Sequence, residues 1–311
     1  MRAVVTVPGS TPGLALGDVP SPIPAPEEAL VRVTAFSLNA GETRTALAAD
    51  DTYVPGWDFA GIVEQPAAVG DTPARGTRVF GVVLPRGSWA ERIAVRPGLL
   101  ARIPDAVTDE AASALPVAAT TALLALESAG PLIGRRVLIT GAAGGVGRFA
   151  CQLATYAGAS VSAVSRRSDL VDRLTADGVR LDGVFGSVPE AVADAGYDVV
   201  LDGVGGDSLA VALTALTTDG VCVSFGNGSQ QPTRFDVDAF NRTRGARLVG
   251  LWLGNVLAAD CAPILARLAD LVDRGSLHVP LDATLPWTQV ATAAGRLTQR
   301  RIDGKIVLTV R

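Results

Sequence analysis

The residues richest in chemical content are a glycine run, Gly141-Ala142-Ala143-Gly144-Gly145-Val146-Gly147. A missing Cβ at Gly144 lets the backbone approach a pyrophosphate, and one at Gly147 lets a following helix pack on the strand before it. The unpaired N–H groups of that helix start, with its dipole, hold phosphate oxygens. Ala143, Gly144, Gly145 and Val146 are therefore the expected phosphate-binding residues. If Gly144 and Gly147 are the second and third glycines of the GxGxxG fingerprint, Ala142 stands at its first position. Some way on, at about the 20 residues the fingerprint expects, come Ser165, Arg166 and Arg167. The residue ending the second strand of such a unit reads the adenosine ribose: an acid binds a 2′-hydroxyl and a base binds a 2′-phosphate. A hydroxyl followed by two guanidinium groups suits the phosphate, so NADPH is expected over NADH. The plainer alternative is two solvated arginines opening a helix, although arginine there opposes the dipole.

The flanks of the glycine run supply the elements that must position it. Val137–Thr140 is a short β-branched apolar run, read as a buried strand, and Phe149, Ala150, Leu153 and Ala154 recur at helical spacing. Strands are expected next at Ser160–Ser165, Gly183–Phe185, Asp198–Asp202, Gly220–Gly226 and Leu248–Leu253. Helices are expected between them, at Asp169–Asp177, Val188–Ala195 and Ser208–Leu216. This alternation predicts a parallel doubly wound sheet with ligands at the carboxyl ends of its strands. The first hundred residues differ. Runs at Ala3–Val7, Ala29–Ala35, Ala60–Glu64, Gly76–Val82 and Ala90–Val95 read as strands separated by Pro- and Gly-bearing turns. Alanine-rich helices follow at Asp109–Leu115 and Ala118–Ala129. An amphipathic helix at Ala258–Arg274 ends at Gly275, and the strand Gly304–Val310 has no helix after it and is expected to return to the first domain.

Composition narrows the function. The chain has 311 residues, which suggests two domains; 48% are hydrophobic and 19% charged, as in an ordinary globular protein. The net charge is −4 with no basic block, so a nucleic-acid partner has no electrostatic support. No apolar run reaches membrane-spanning length and the N-terminus lacks a signal-peptide core, so a cytoplasmic protein is expected. The cysteines are Cys151, Cys222 and Cys261, without a C-x₂-C pair, and the one histidine is His278, expected to be structural. A catalytic zinc needs three ligands from Cys, His or Asp/Glu and a structural one commonly four cysteines. No metal site is expected, and the cysteines read as small core residues.

Six landmarks, weak singly and specific in this order, carry a resemblance: Pro55-Gly56-Trp57-Asp58-Phe59-Ala60-Gly61, Gly87-Ser88-Trp89-Ala90-Glu91, Pro116–Ala122, the glycine turn, Asp202-Gly203-Val204-Gly205-Gly206, and Gly304-Lys305-Ile306-Val307-Leu308. Across essentially its whole length the chain resembles the medium-chain dehydrogenase/reductase superfamily, in particular its zinc-free quinone oxidoreductases, similar to zeta-crystallin. The resemblance implies an α/β fold: a GroES-like β-rich domain over residues 1–115, completed by 256–311, and a Rossmann doubly wound parallel sheet over 116–255. It implies NADPH in the cleft, a homodimer, and cofactor contacts from Asn39, Thr121, Gly203, Phe225, Gly226, Asn227, Leu251, Trp252, Leu253 and Lys305. Zinc-binding members carry Gly-His-Glu where this chain has Gly56-Trp57-Asp58. The aspartate and tyrosine common after the family's asparagine are replaced near those places by Glu42 and Arg44.

The implied reaction is hydride transfer from NADPH to a small electrophile, a quinone or α,β-unsaturated carbonyl. The developing oxyanion needs one or two hydrogen-bond donors, and Asn39 and Tyr53 are the candidates. Their rival readings are a turn-supporting amide and a packed loop aromatic, and solvent serves equally as the proton source. Two alternatives stay open: an enoyl-thioester reductase of a biosynthetic pathway, and a non-catalytic NADPH-binding sensor.

Overall fold

The computed structural model describes residues 1–194, 196–257 and 260–310. The far end of the expected helix at Val188–Ala195 and the first two residues of that at Ala258–Arg274 fall outside the described residues. The chain forms two compact units, one of Met1–Thr120 with Gly254–Arg311 and one of Thr121–Leu253.

In chain order the N-terminal portion runs β1 (Arg2–Thr6), β2 (Leu14–Asp18), β3 (Ala29–Ser37), α1 (Ala40–Leu47), β4 (Asp58–Gln65), β5 (Arg78–Val82), β6 (Arg92–Val95), β7 (Leu100–Arg102), α2 (Asp109–Ser113) and α3 (Ala118–Ala129). The middle portion runs β8 (Arg136–Thr140), α4 (Gly145–Tyr156), β9 (Ser160–Val164), α5 (Leu170–Ala176), β10 (Gly183–Phe185), α6 (Val188–Asp194), β11 (Tyr197–Asp202), α7 (Gly206–Leu213), β12 (Leu216–Ser224), α8 (Val237–Asn241), β13 (Arg247–Gly250) and α9 (Leu253–Leu257). The chain closes with α10 (Ala262–Asp273), β14 (Leu281–Pro286), α11 (Val290–Thr298) and β15 (Lys305–Thr309).

The first unit is built on a sheet of order β14-β15-β3-β4-β5-β7, with β6 also paired to β3. β3 explains its central place: alternate residues Ala29, Val31, Val33 and Ala35 are fully or almost fully buried, the two-residue period of a strand packed on one face. β15 runs antiparallel beside it, with Val307 opposite Ser37. The chain's last strand therefore sits next to an early one, in the same unit. Five elements here lie beyond the sequence expectations: α1, β2, β7, β14 and α11.

The second unit is a parallel sheet of order β10-β9-β8-β11-β12-β13. This is the Rossmann strand order, and the chain reverses direction across the sheet between β8 and β11. Val137, Leu138, Ile139, Val199, Val200 and Leu201 are all fully buried, the continuous apolar run of strands covered on both faces. Two expectations shift. The helix expected at Ser208–Leu216 starts and ends earlier, because Leu216 already pairs with Tyr197. The strand expected at Leu248–Leu253 stops at Gly250, and Leu253 opens a helix. No described helix is long and apolar enough to cross a membrane.

Candidate functional site

In the second unit the glycine turn joins β8 to α4 at the point where the strand order reverses. Gly141 takes a positive φ of +61°, a left-handed conformation suited to glycine. Ala142, which the fingerprint placed at the first glycine position, is instead fully buried, and its N–H donates to Val164 O at 3.2 Å. The left-handed residue therefore stands one position earlier than the motif expects. Gly144 is the N-cap of α4 and is exposed. Gly147 is buried, and a Cβ there would lie 2.6 Å from Ala142 Cα. That clash is the physical reason for glycine where α4 leaves the turn.

The other expected cofactor residues of this unit, Thr121 excepted, also follow strand ends. Ser165 follows β9, and its Oγ accepts the Arg167 N–H at 3.0 Å. The Arg167 guanidinium grips Asp169 through two 3.1 Å bonds. Arg167, followed by Arg173, pulls the Asp169 carboxyl down to about 2. Arg166 is exposed and has no partner among the described residues, so it is the arginine open to an anion. Gly203 follows β11, and Phe225, Gly226 and Asn227 follow β12. These two ends are laced together: Phe225 N donates to Asp202 O at 3.0 Å and Gly228 N to Gly203 O at 3.0 Å. A Cβ on Gly203 would meet the Phe225 ring at 2.7 Å. Leu251 follows β13 and donates its N–H to Ser224 O at 2.8 Å; Leu251 and Leu253 are half-buried, whereas Trp252 is 69% exposed. Because all six strands are parallel, these residues line one edge of one sheet. Thr121 lies apart from them in sequence, buried on α3.

One residue at this edge was missing from the expected set. Asp202 is fully buried and takes Thr140 Oγ1 at 2.7 Å on one carboxylate oxygen and Gly205 N at 2.7 Å on the other. It ties the ends of β8 and β11 together, and burial pushes its carboxyl up. The signal for it was the Asp-Gly-Val-Gly-Gly landmark.

The first unit holds a second constellation. Asn39 is the N-cap of α1. Its side-chain nitrogen donates to Glu42 Oε1 at 3.0 Å and to Asp58 Oδ2 at 2.8 Å, and its Oδ1 accepts from Lys305 Nζ at 2.6 Å. Lys305 Nζ also donates to Leu38 O at 3.1 Å and reaches Asp58 Oδ2 at 3.4 Å. Asp58 collects Ser37 Oγ at 2.5 Å and Val117 N at 3.0 Å as well. Asp58, Lys305 and Glu42 are 0%, 2% and 4% exposed, while Asn39 is half-buried. An ammonium only donates, so it must face the amide oxygen, which turns the amide nitrogen toward the two carboxyl groups. Both Nδ2 protons are thereby committed inside the protein. This geometry counts against Asn39 as a donor to a substrate oxyanion and leaves it a vacant lone pair on Oδ1.

Tyr53 is not brought to this cluster by any hydrogen bond among the described residues. It is half-buried in a loop, its backbone paired to Thr6, with the Arg86 guanidinium 3.8 Å over its ring. Trp57 donates its ring N–H to Pro85 O at 2.7 Å. His278 is exposed on a loop.

The donor set does not suit a metal. Cys151 lies in α4, Cys222 in β12 and Cys261 at the start of α10; all three are fully buried, and burial pushes their thiols up. Among the described residues no three His, Cys, Asp or Glu side chains are grouped to hold an ion.

Comparison with known proteins adds the following. The family profile described as zinc-binding dehydrogenase matches residues 174–308. A mitochondrial NAD(P)H oxidoreductase of mouse, RTN4IP1, is 28% identical over 92% of this chain and 82% of its own length. A mycocerosic acid synthase-like polyketide synthase of Mycobacterium tuberculosis is 29% identical over 100% of this chain, which spans 15% of that protein. Among solved structures, the quinone oxidoreductase of Thermus thermophilus, described also in complex with NADPH, superposes with a TM-score of 0.82 at 29% identity, covering 99% of this chain and all of the other. With its glycine turn at the reversal of a six-stranded parallel sheet and its last strand built into the N-terminal sheet, the chain is similar in sequence and fold to these oxidoreductases.

Proposed function

We propose that this protein is an NADPH-dependent oxidoreductase that reduces a quinone or an α,β-unsaturated carbonyl without a metal ion. The observation that carries the reading is the glycine turn at the strand-order reversal, with Arg166 open at the neighbouring strand end. The N–H groups of Ala143 to Val146 bind the pyrophosphate and Arg166 binds the 2′-phosphate. NADPH, when bound, supplies the hydride, and the protein supplies orientation and the exclusion of water. Both Asn39 amide protons are engaged and the Lys305 ammonium is fully bonded, so water is the proton source that fits.

The test is NADPH consumption across quinones, enones and enoyl thioesters. Turnover with quinones or simple enones is expected; binding of NADPH without turnover of any acceptor would overturn the reading in favour of a sensor. A second reading, an enoyl-thioester reductase, is favoured by the polyketide synthase relatives. Turnover restricted to a crotonyl thioester would select it.

We also propose a second copy of the chain as partner. The outer strand β13 exposes Leu248, the residues after it Trp252, and the start of α8 Phe235 and Val237, at 42%, 69%, 40% and 59%, and exposed apolar side chains of this size are what an interface between copies would cover. Light scattering at twice the chain mass is the expected result.

A further inference from the structure

Glu42 is the third residue of α1 and makes the capping-box bond to the Asn39 backbone, but it also holds the Asn39 side chain. Its Oε1 accepts both the Asn39 backbone N–H at 2.8 Å and the Asn39 side-chain N–H at 3.0 Å. Its Oε2 is buried and has no hydrogen-bond partner among the described residues. The charged groups that face it are Asp58 on β4 and Lys305 on β15, and this lysine is already shared with Asp58.

We propose that Glu42 is a positioning residue for Asn39: with Asp58 and Lys305 it commits both amide protons and one oxygen lone pair inside the protein, so that Asn39 presents a single hydrogen-bond acceptor to the reactants. The proposal rests on the reductase reading for what those reactants are. The group that Asn39 recognises is then an N–H or O–H donor, such as a primary carboxamide or a hydroxyl, and not an oxyanion.

The chemistry of the cluster agrees. One ammonium neutralises one carboxylate, and a second buried carboxylate would be uncompensated. Burial, followed by the charge of Asp58, pushes the Glu42 carboxyl up to about 8. At neutral pH Glu42 is thus a neutral acid. Oε1 accepts two N–H groups, so the proton resides on Oε2. Ionisation at higher pH puts two carboxylates against one lysine and loosens the hold on the amide.

Two measurements on the whole 311-residue chain test this, using wild type, Glu42→Gln and Glu42→Ala. The first is hydrogen exchange of the Asn39 side-chain amide by NMR, without cofactor. Slow exchange is expected in wild type and about tenfold faster exchange in Glu42→Ala, the consequence of one lost buried partner. The second is kcat/KM for the best acceptor from about pH 6 to 10. Glu42→Ala is expected to lose about tenfold and Glu42→Gln to recover most of that loss; wild type is expected to fall above about pH 8 and Glu42→Gln not to. Equal amide exchange in wild type and Glu42→Ala, or an alkaline fall that persists in Glu42→Gln, overturns the proposal. If no acceptor is turned over, the reductase reading fails and the exchange measurement alone decides the role of Glu42.

Discussion

Lys305 Nζ lies 2.6 Å from Asn39 Oδ1, a bond between residues 266 positions apart. It exists because β15 lies antiparallel to β3, which places the start of one strand beside the end of the other. The same ammonium shares the buried carboxylate of Asp58. The pair therefore links the N-cap of α1 to the start of the last strand, β15.

Removing the ammonium should be costly. Lys305→Met keeps much of the side-chain volume but leaves Asp58 buried without its counter-charge. Breaking one partner of a buried pair costs about 3–5 kcal/mol, and the remaining donors to Asp58 argue for the lower end, about 3 kcal/mol. Urea unfolding measures it, and an unchanged midpoint would show that the pair does not hold the first unit.

The two arginines after β9 should separate. Arg166→Ala is expected to weaken NADPH binding by about 1.5–3 kcal/mol, the range for a charged hydrogen bond, with little change for NADH. Arg167→Ala should matter less, because Arg167 is occupied by Asp169. Fluorescence titration with both cofactors decides; equal losses with NADPH and NADH would refute the 2′-phosphate role.

Two glycines of one turn should fail in different ways. Gly147→Ala forces a Cβ against the backbone of Ala142 and should destabilise the fold by about 1–3 kcal/mol through overpacking. In Gly144→Ala the new Cβ meets only Gly141 O, at 3.3 Å. That variant should keep its melting temperature and lose cofactor affinity, because the Cβ fills the approach of the pyrophosphate. Calorimetry and cofactor titration on both variants separate the two.

Stability should fall as pH rises through the range where Glu42 would ionise. Its carboxyl is raised from 4.5 to about 8 on folding, so the native state holds a proton that the unfolded chain releases. The contribution is complete below about pH 4.5 and is lost progressively toward pH 8. Its size is on the order of several kcal/mol. Unfolding free energies across this range should show a downward slope in wild type that is reduced in Glu42→Gln. Identical slopes would mean that Glu42 is ionised at neutral pH.

The parts legible in the sequence are those whose physics is local. Val137–Thr140, the glycine run and the helix after it are one strand–turn–helix unit, and the spacing to Ser165 and Arg166 follows from the length of that unit. The parallel alternation of the second unit was readable for the same reason, since strands buried on both faces carry apolar runs of their own. Other features lack such a signature. β14 alternates only weakly between half-buried and exposed residues, and it is a strand because β15 offers it a partner. The choice of Gly141 over Ala142 as the left-handed residue is made by the burial of Ala142 against the end of β9. Asn39 could be picked out from its motif, but its direction as an acceptor could not. That direction comes from Lys305 and Asp58, brought to it from distant strands, and the protonation of Glu42 comes from a desolvation that exists only once those strands have closed around it. Sequence neighbours carry propensity and pattern; the charge balance of a buried cluster is a property of the packed chain.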